Sequence, residues 1–572
     1  MVSTQDIPNI EVEDIDHLGI VAGIIDDIGM VEIINQKLGE HPQQNVSAGH
    51  VVKALILNCM GFLSAPLYLF SQFFVGKATE HLLGDGIKAE HLNARRIGRV
   101  LDQLYAYGIS TLFMSIAVEV VKTFGVSLGG IHGDSSSFYV HGEYETDASP
   151  SNADTAASAE LTASEGGDGS IEPQAEYTPI EIKRGYSRDH RFDLKQLTLN
   201  LITSTDGDIP LGLRVGNGNE VDTKVLVPFM KQWHQSWQDL GGQPPTVMAA
   251  DAALFSEENL GILGELPWIS RVPASIGEAQ RLMRTLPNEQ FQAFQSPRLK
   301  DYCFTQVCSG YGGVHQRWII VESQPRRQAD LEKLDQKLNQ QTKQQRQGLA
   351  TLANQEFACE ADARKAASAF EKTLNWHVLE ALTIESKPHY QQRGRPGKDE
   401  LPSHYSFHVQ ATLKTNQHML EAHRTQAGRF IVATNIVDET DCSAEAVVVE
   451  YKDQTCERGF RFLKDPIFFV SRVFLKSKKR IMVLMMVMTL ALMVYSLGQR
   501  QIRQALGEAQ QTLPDQKGKP TAQPTLRWVL QCFLSVHLVW LNGSKVAIKL
   551  NDIQTRALQF LSANCRKYYL LC

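Results

Sequence analysis

A chain of 572 residues is too long for one hydrophobic core, so three or four domains are expected. Its 43% hydrophobic and 21% charged residues exclude a disordered or fibrous chain. The formal net charge of -6 excludes a globally basic nucleic-acid binder, so any anionic partner must be held by local patches. The nine cysteines show no paired metal-ligand spacing, which suits reduced thiols in a cytoplasmic protein. The first twenty residues are acidic and lack the basic-then-apolar layout of a secretory signal.

Residues 1–128 carry apolar side chains at three- and four-residue spacing and predict a helical N-terminal domain. Asn93 is the expected N-cap of a helix that starts with Arg95, Arg96 and Arg99, a phosphate-contacting cluster or a solvated face. "IHGDSSSFYV", 131–140, reads as a strand with Asp134 inside it. A lone buried carboxylate is costly, so Asp134 either caps a turn or is half of a site completed elsewhere. Residues 143–180 are rich in Ala, Ser, Gly and acid and predict a loose acidic loop. "LKQLTLNLIT", "DGD" and "IPLGLRV" then give two strands and a turn, which with 131–140 make an antiparallel meander. A helix with Asp222 as N-cap follows. Next come a strand in 244–256 that runs into Asp251, a helix capped by Ser256, and the strand "PWISRVP". The order to this point is β-β-β-α-β-α-β.

Beyond Pro273, strands are expected in "YCFTQVCSGYGGVHQRWIIVES" and "GRFIVATNI". Between them lie a long polar helix with Leu331, Leu334 and Leu338 on one face, and a second helix over "CEADARKAASAFEKTLNWHVLEAL" that can fold back on it. "QQRGRPGK" is a basic turn suited to a DNA groove or to solvent. Residues 443–466 read as one helix capped by Ser443. On it Glu457, Arg461 and Lys464 share a face, as surface ion pairs or as a metal ligand beside phosphate contacts. Ile481–Leu497 is nearly all apolar after "KSKKR"; a buried core helix is favoured over a membrane anchor.

Asp134, Asp251 and Glu457 stand out because three carboxylates brought together from two strands and a helix suit hard divalent cations. Two such ions activate water and stabilise the leaving oxygen in phosphodiester cleavage. Each acid has a bland alternative: a turn residue, an N-cap, a surface acid paired with Arg461.

The stretches "GDSSSFYVHGEY", "GYSRDHRFDLKQLTLNLITSTDGDIPLGLRVGNGNEVDT", "MAADAALFSEENL", "GRFIVATNI" and "YKDQTCERGFRFLKDP" resemble those of DDE transposases of bacterial insertion sequences, in the group with a Tyr…Glu-x6-Lys signature. The resemblance covers about 130–275 and 428–500. It implies an α/β multidomain protein with a helical N-terminal domain, 1–128, for DNA binding or dimerisation, and an RNase H-like mixed-sheet catalytic core, 129–275 and 441–500, interrupted by an insertion domain, 276–440, and followed by a helical region, 501–572. It carries Asp134, Asp251 and Glu457 onto the metal-binding triad, with two Mg²⁺ ions that Mn²⁺ can replace. Lys464 and Tyr451 match the signature Lys and Tyr as DNA contacts. Tyr451 sits six residues before Glu457 where the wider pattern has seven, and the Arg expected between them is missing from "KDQTC". Its role passes to Lys452 or Arg458, or is absent.

The implied activity is metal-dependent strand cleavage and strand transfer at the terminal inverted repeats of an insertion sequence. The implied partners are double-stranded DNA and a second copy of the chain, with no membrane. Arg458, Arg461, Arg188, His190 and Arg191 are the further candidate DNA contacts. Three rivals stay open on sequence: an RNase H-fold nuclease without strand transfer, a DNA-binding protein with a decayed centre, and a membrane-anchored protein.

Overall fold

The computed structural model describes residues 10–40, 44–62, 69–140, 178–186, 191–391, 401–453, 455–465, 476–541, 544–547 and 550–570. The protein is mixed α/β. It divides into two compact units: residues 1–270, 312–314 and 450–572 form the first, and residues 271–311 and 315–449 the second.

The first unit opens with a strand, β1 (Ile10–Asp14), before the helices α1 (Leu18–Ile28), α2 (Met30–Leu38), α3 (Ala48–Met60), α4 (Ala94–Tyr107) and α5 (Ile109–Phe124). The expectation of a purely helical start is corrected here. The partner of β1 lies at the far end of the chain, where local periodicity cannot reveal it. Asn93 caps α4 as expected, its side chain accepting from the Arg96 N–H at 3.0 Å. Arg96 is spent on structure, donating to the Val46 carbonyl at 2.6 Å.

The meander follows as β2 (Ile131–Val140), β3 (Lys195–Ser204) and β4 (Pro210–Gly216). Then come α6 (Asp222–Asp239), β5 (Met248–Ala250), α7 (Glu257–Leu263) and β6 (Trp268–Arg271), in the order read from the sequence. Asp222 is the first residue of α6 rather than its cap; extended Val221 precedes it. Ser256 does cap α7, accepting from the Asn259 N–H. Within the unit the strands lie in the order β4-β3-β2-β5-β6. Pairing is antiparallel from β4 to β2 and parallel from β2 to β6. The acidic 143–180 segment lies outside the described residues up to position 177.

The second unit holds α8 (Gly277–Thr285) and the strands β7 (Gln292–Ala293), β8 (Tyr302–Ser309) and β9 (Gln316–Ser323). These are followed by the 31-residue α9 (Gln324–Asn354) and by α10 (Glu360–Glu371). α10 folds back so that Ala363 and Ala367 meet Leu352. It ends at Glu371. "HVLEAL", expected to continue it, belongs to β10 (His377–His389), which pairs with β11 (His404–Thr415), because ladder pairing overrides a weak helical pattern. After α11 (Gln417–Gln426), β12 (Arg429–Thr434) pairs with β9, giving the order β12-β9-β8-β7. The basic turn at 392–398 lies outside the described residues.

The expected single helix over 443–466 is two: α12 (Ala444–Lys452) and α13 (Thr455–Lys464). Ser443 caps the first, accepting from the Ala446 N–H at 3.1 Å. A turn from the Asp453 N–H to the Glu450 carbonyl ends it, and Thr455 and Cys456, at the start of the second, hydrogen-bond to Thr203 and to the His132 carbonyl.

The apolar run lies in α14 (Lys478–Glu508), which packs against α1, α3, α4, α5 and β4. By length and composition α14 could cross a membrane, and its apolar window is 94% buried within the protein. The α4–α5 pair passes the same test only as one span bent by 85°. The C-terminal part, expected to be helical, also holds β13 (His537–Leu541), which pairs antiparallel with β1, and β14 (Ser544–Ala547).

Helix α1 sits against the last helical turn, Ala563–Arg566, with almost no gap. A Cβ on Gly23 would lie 2.4 Å from the Cys565 Cα, so only glycine allows this approach. Beside it a buried ion pair joins α1, α3 and the C-terminal segment. Lys53 donates to Asp26 at 2.6 Å, as does the Tyr568 hydroxyl. Burial pushes the Asp26 pKa up, but the Lys53, Tyr568 and Lys567 donors outweigh it and hold the carboxyl below its ordinary value. Asp26 therefore stabilises the fold above its unfolded pKa, and this is lost as pH falls through the lower folded value. Asp26→Asn leaves Lys53 buried without its counter-charge and should cost about 3–5 kcal/mol at pH 7. The gap to the unsubstituted chain should shrink below about pH 4. Urea midpoints measured across that range check both statements.

Candidate active site

Strand β2 is where the pairing of the first unit changes sense. It is antiparallel to β3 and parallel to β5, with Gly133 opposite Ala250, the last residue of β5. Asp134 and Asp251 each follow that rung by one residue, so they stand side by side on neighbouring chains, which are about 4.8 Å apart in a sheet. Gly133 lets α6 pack close: a Cβ would lie 2.6 Å from the Met230 Sδ, so that side chain would have to shift. Asp134 Oδ1 accepts from the Ser135 N–H at 2.7 Å. Asp251 is exposed, and its Oδ1 accepts from the Ala253 N–H at 2.8 Å in an Asx turn. Its carbonyl accepts from the buried Ser270 hydroxyl at 2.8 Å, which holds the turn to β6.

Glu457 arrives on α13. The Cys456 thiol donates to the His132 carbonyl of β2 at 3.1 Å. Thr455 and Thr203 of β3 share a hydrogen bond at 2.5 Å, and Phe460 meets Phe138 edge-on. The helix is thus fastened across both strands beside Asp134. The result is a cavity of about 290 Å³ lined by Asp134, Asp251, Glu457, Tyr451, His132 and Cys456. Glu457 itself leans one turn along α13 to Arg461, 3.2 Å away. The donor set is carboxylate oxygen, which suits Mg²⁺ or Mn²⁺. Among the described residues no three His, Cys, Asp or Glu side chains are close enough to form a ready ion cage.

The structure therefore gathers Asp134, Asp251, Glu457 and Tyr451 round one cavity. The remaining candidates differ. Lys464 sits with its ammonium 5.4 Å from the Phe138 ring centre. Arg458 grips Asp208 with two hydrogen bonds at 2.6 Å and also pairs with Asp453; the Asp208 bonds hold its pKa above the ordinary guanidinium value. Arg461 pairs with Glu457, and Arg191 with Asp193 while lying 5.5 Å from the Tyr139 ring centre. Arg188 and His190 lie outside the described residues.

Sequence reasoning passed over His132 and Glu450. The His132 Nε2 and Glu450 Oε1 atoms are buried, 3.5 Å apart, and have no hydrogen-bond partner. The available signal was strand alternation: His132, two before Asp134, shares its face.

Residues 10–118 match the family model of a domain of unknown function, DUF4277, a stretch that runs from β1 into α5. No curated protein matches the chain.

Cysteine reactivity tests the seating of α13. Burial, with the Asp134 carboxylate nearby, pushes the Cys456 thiol far above its ordinary pKa, whereas Cys308 and Cys359 are exposed. Iodoacetamide on the folded protein should label Cys308 and Cys359 and spare Cys456, read by peptide mass mapping. Labelling of Cys456 as fast as Cys359 would mean that the helix is not fastened to the sheet.

Proposed function

We propose that this chain is a DNA transposase of an insertion sequence, built on an RNase H-like core. The observation that carries the reading is the lateral pairing of Asp134 and Asp251 at the antiparallel-to-parallel switch, with Glu457 on a helix fastened across the same strands. The strand order β4-β3-β2-β5-β6 and its pairing senses are those expected of such a core. The DUF4277 match leaves function open and neither adds to this reading nor opposes it.

Asp134, Asp251 and Glu457 are the residues that would hold two Mg²⁺ ions, with Mn²⁺ as a substitute. When bound, such ions supply an activated water and stabilisation of the leaving oxygen. The chain's own contribution is geometric. The β2–β5 rung fixes the two aspartates, the Asp251–Ser270 bond holds the turn, and Arg461 pairs with the Glu457 carboxylate. Tyr451, at the cavity wall, and Lys464, one face of α13 away, are the groups to meet the DNA strand. The substrate is duplex DNA at the terminal inverted repeats. One strand is cut, and the freed 3′-hydroxyl attacks the other strand or the target, with no covalent protein–DNA intermediate. A pair of chains would hold the two ends in the bacterial cytoplasm.

The test is incubation of the purified chain and Glu457→Gln with labelled element-end DNA, with Mg²⁺ and with EDTA. Cleavage at the end should need the metal and should fall by a factor of about 10²–10³ in Glu457→Gln, the scale for removing one group that stabilises transition-state charge. Binding without cleavage by either protein would sink the enzymatic reading. Undiminished cleavage by the variant would mean that the third acid lies elsewhere.

A further inference from the structure

His132 stands on β2 two residues before Asp134, on the same face of the strand, and lines the same cavity. It is only 6% exposed. Its Nε2 is turned to the Glu450 Oε1, 3.5 Å away, and both atoms are buried without a hydrogen-bond partner. Buried polar atoms left in this state destabilise a fold, whereas an apolar pair of similar size would not. The pair is nevertheless built in. The Glu450 carboxylate packs directly on the Gly130 α-carbon, where a Cβ would overlap it and make it shift. Gly130 is itself held, its carbonyl accepting from the Thr205 N–H and the Thr205 hydroxyl, each at 3.1 Å.

Two helices that wall the cavity meet at this one residue. The His132 ring faces Glu450, which precedes Tyr451 on α12, and the His132 carbonyl accepts from Cys456, which precedes Glu457 on α13. Among the described residues that line the cavity, His132 alone has a nitrogen in its side chain. The Cys456 thiol, the other soft donor, is spent on the His132 carbonyl. An imidazole with one ring nitrogen against a carboxylate is the usual dress of a metal-bound histidine. The carboxylate fixes the ring and its tautomer, and the second nitrogen keeps a lone pair for a cation.

We propose that His132 is a nitrogen ligand of the cation held in the carboxylate cavity, with Glu450 as the residue that positions its ring. Nε2 donates to Glu450, and Nδ1 serves the ion beside Asp134. This changes the class of ion the cavity selects. Carboxylates alone suit Mg²⁺ and Mn²⁺, whereas an imidazole nitrogen favours Mn²⁺, or another first-row transition ion, over Mg²⁺. The donors are not gathered at rest, because Glu457 leans on Arg461, an exposed contact weak enough for an ion to break. The role presupposes the metal function proposed above for Asp134, Asp251 and Glu457; it does not depend on strand cleavage or transfer.

The test uses the full chain without DNA and Mn²⁺ as the probe, added below one equivalent so that the tightest site is read. Electron spin-echo spectroscopy reports a nitrogen bonded to Mn²⁺ as a modulation of the echo. The parent should show it and His132→Gln should lose it. By calorimetric titration His132→Gln should weaken Mn²⁺ at least about tenfold and Mg²⁺ much less. Glu450→Gln should weaken Mn²⁺ by about tenfold, the scale for losing a group that orients a ligand. His315→Gln, which removes an exposed imidazole in the second unit, should match the parent. Modulation that survives in His132→Gln would overturn the assignment, and so would equal weakening of Mn²⁺ and Mg²⁺. Mn²⁺ binding that falls in Asp134→Asn but shows no nitrogen in the parent would remove His132 and leave the carboxylate cavity standing. Binding unchanged in both Asp134→Asn and His132→Gln would remove the metal role with it. Slow iodoacetamide labelling of Cys456 shows that each variant keeps α13 seated. If His132→Gln loses that protection, Glu450→Gln decides: an Mn²⁺-to-Mg²⁺ preference equal to the parent's would overturn the assignment. Failure of end cleavage in the earlier experiment would leave a positive result here intact.

Discussion

Three backbone rungs between Ile131–Gly133 and Met248–Ala250 fix where both aspartates stand. In a strand, a slip of one residue turns every side chain to the opposite face, so Asp134 reaches the cavity only in this register. The register is enforced from both sides. Met230 packs closely on Gly133, and β2 is held to β3 along its whole length. The buried polar run after Asp134 is tolerated because its groups find partners, as in the Ser135 hydroxyl donating to Asn200. The cavity is the point where this rigid frame ends and side chains with room to turn begin.

The same economy governs α13. Its first two residues spend their side chains on β2 and β3 rather than on capping, and the next residue is Glu457. The acid thus follows directly on two anchored positions, with Arg461 one turn beyond as its partner. A surface ion pair of this kind is worth little, about 0–1 kcal/mol, so it sets a resting position that a stronger electrostatic partner can displace.

Much of this is legible in the sequence. The meander, the helix–strand alternation after it and the position of Asp251 at a strand end follow from period-two patterning and turn residues, which are local signals. Glu457 was different: nothing local separates it from a surface acid paired with Arg461, and only a family resemblance singled it out. His132 and Glu450 were missed because they are far apart in sequence and meet only in the folded chain. The N-terminal strand was invisible for the same reason in its strongest form.

That strand has a further consequence, in the time domain. Asp14 and its partner His537 are 523 residues apart, and the Tyr569 hydroxyl donates to the Asp16 carbonyl from still further away. At translation rates of about 5–20 residues per second, β1 leaves the ribosome half a minute to two minutes before its partner exists. Throughout that interval its backbone donors and acceptors must be met by water or by a chaperone. The N-terminal segment therefore completes its fold only after Tyr569 has been synthesised, which delays that closure until more than 550 residues have followed it.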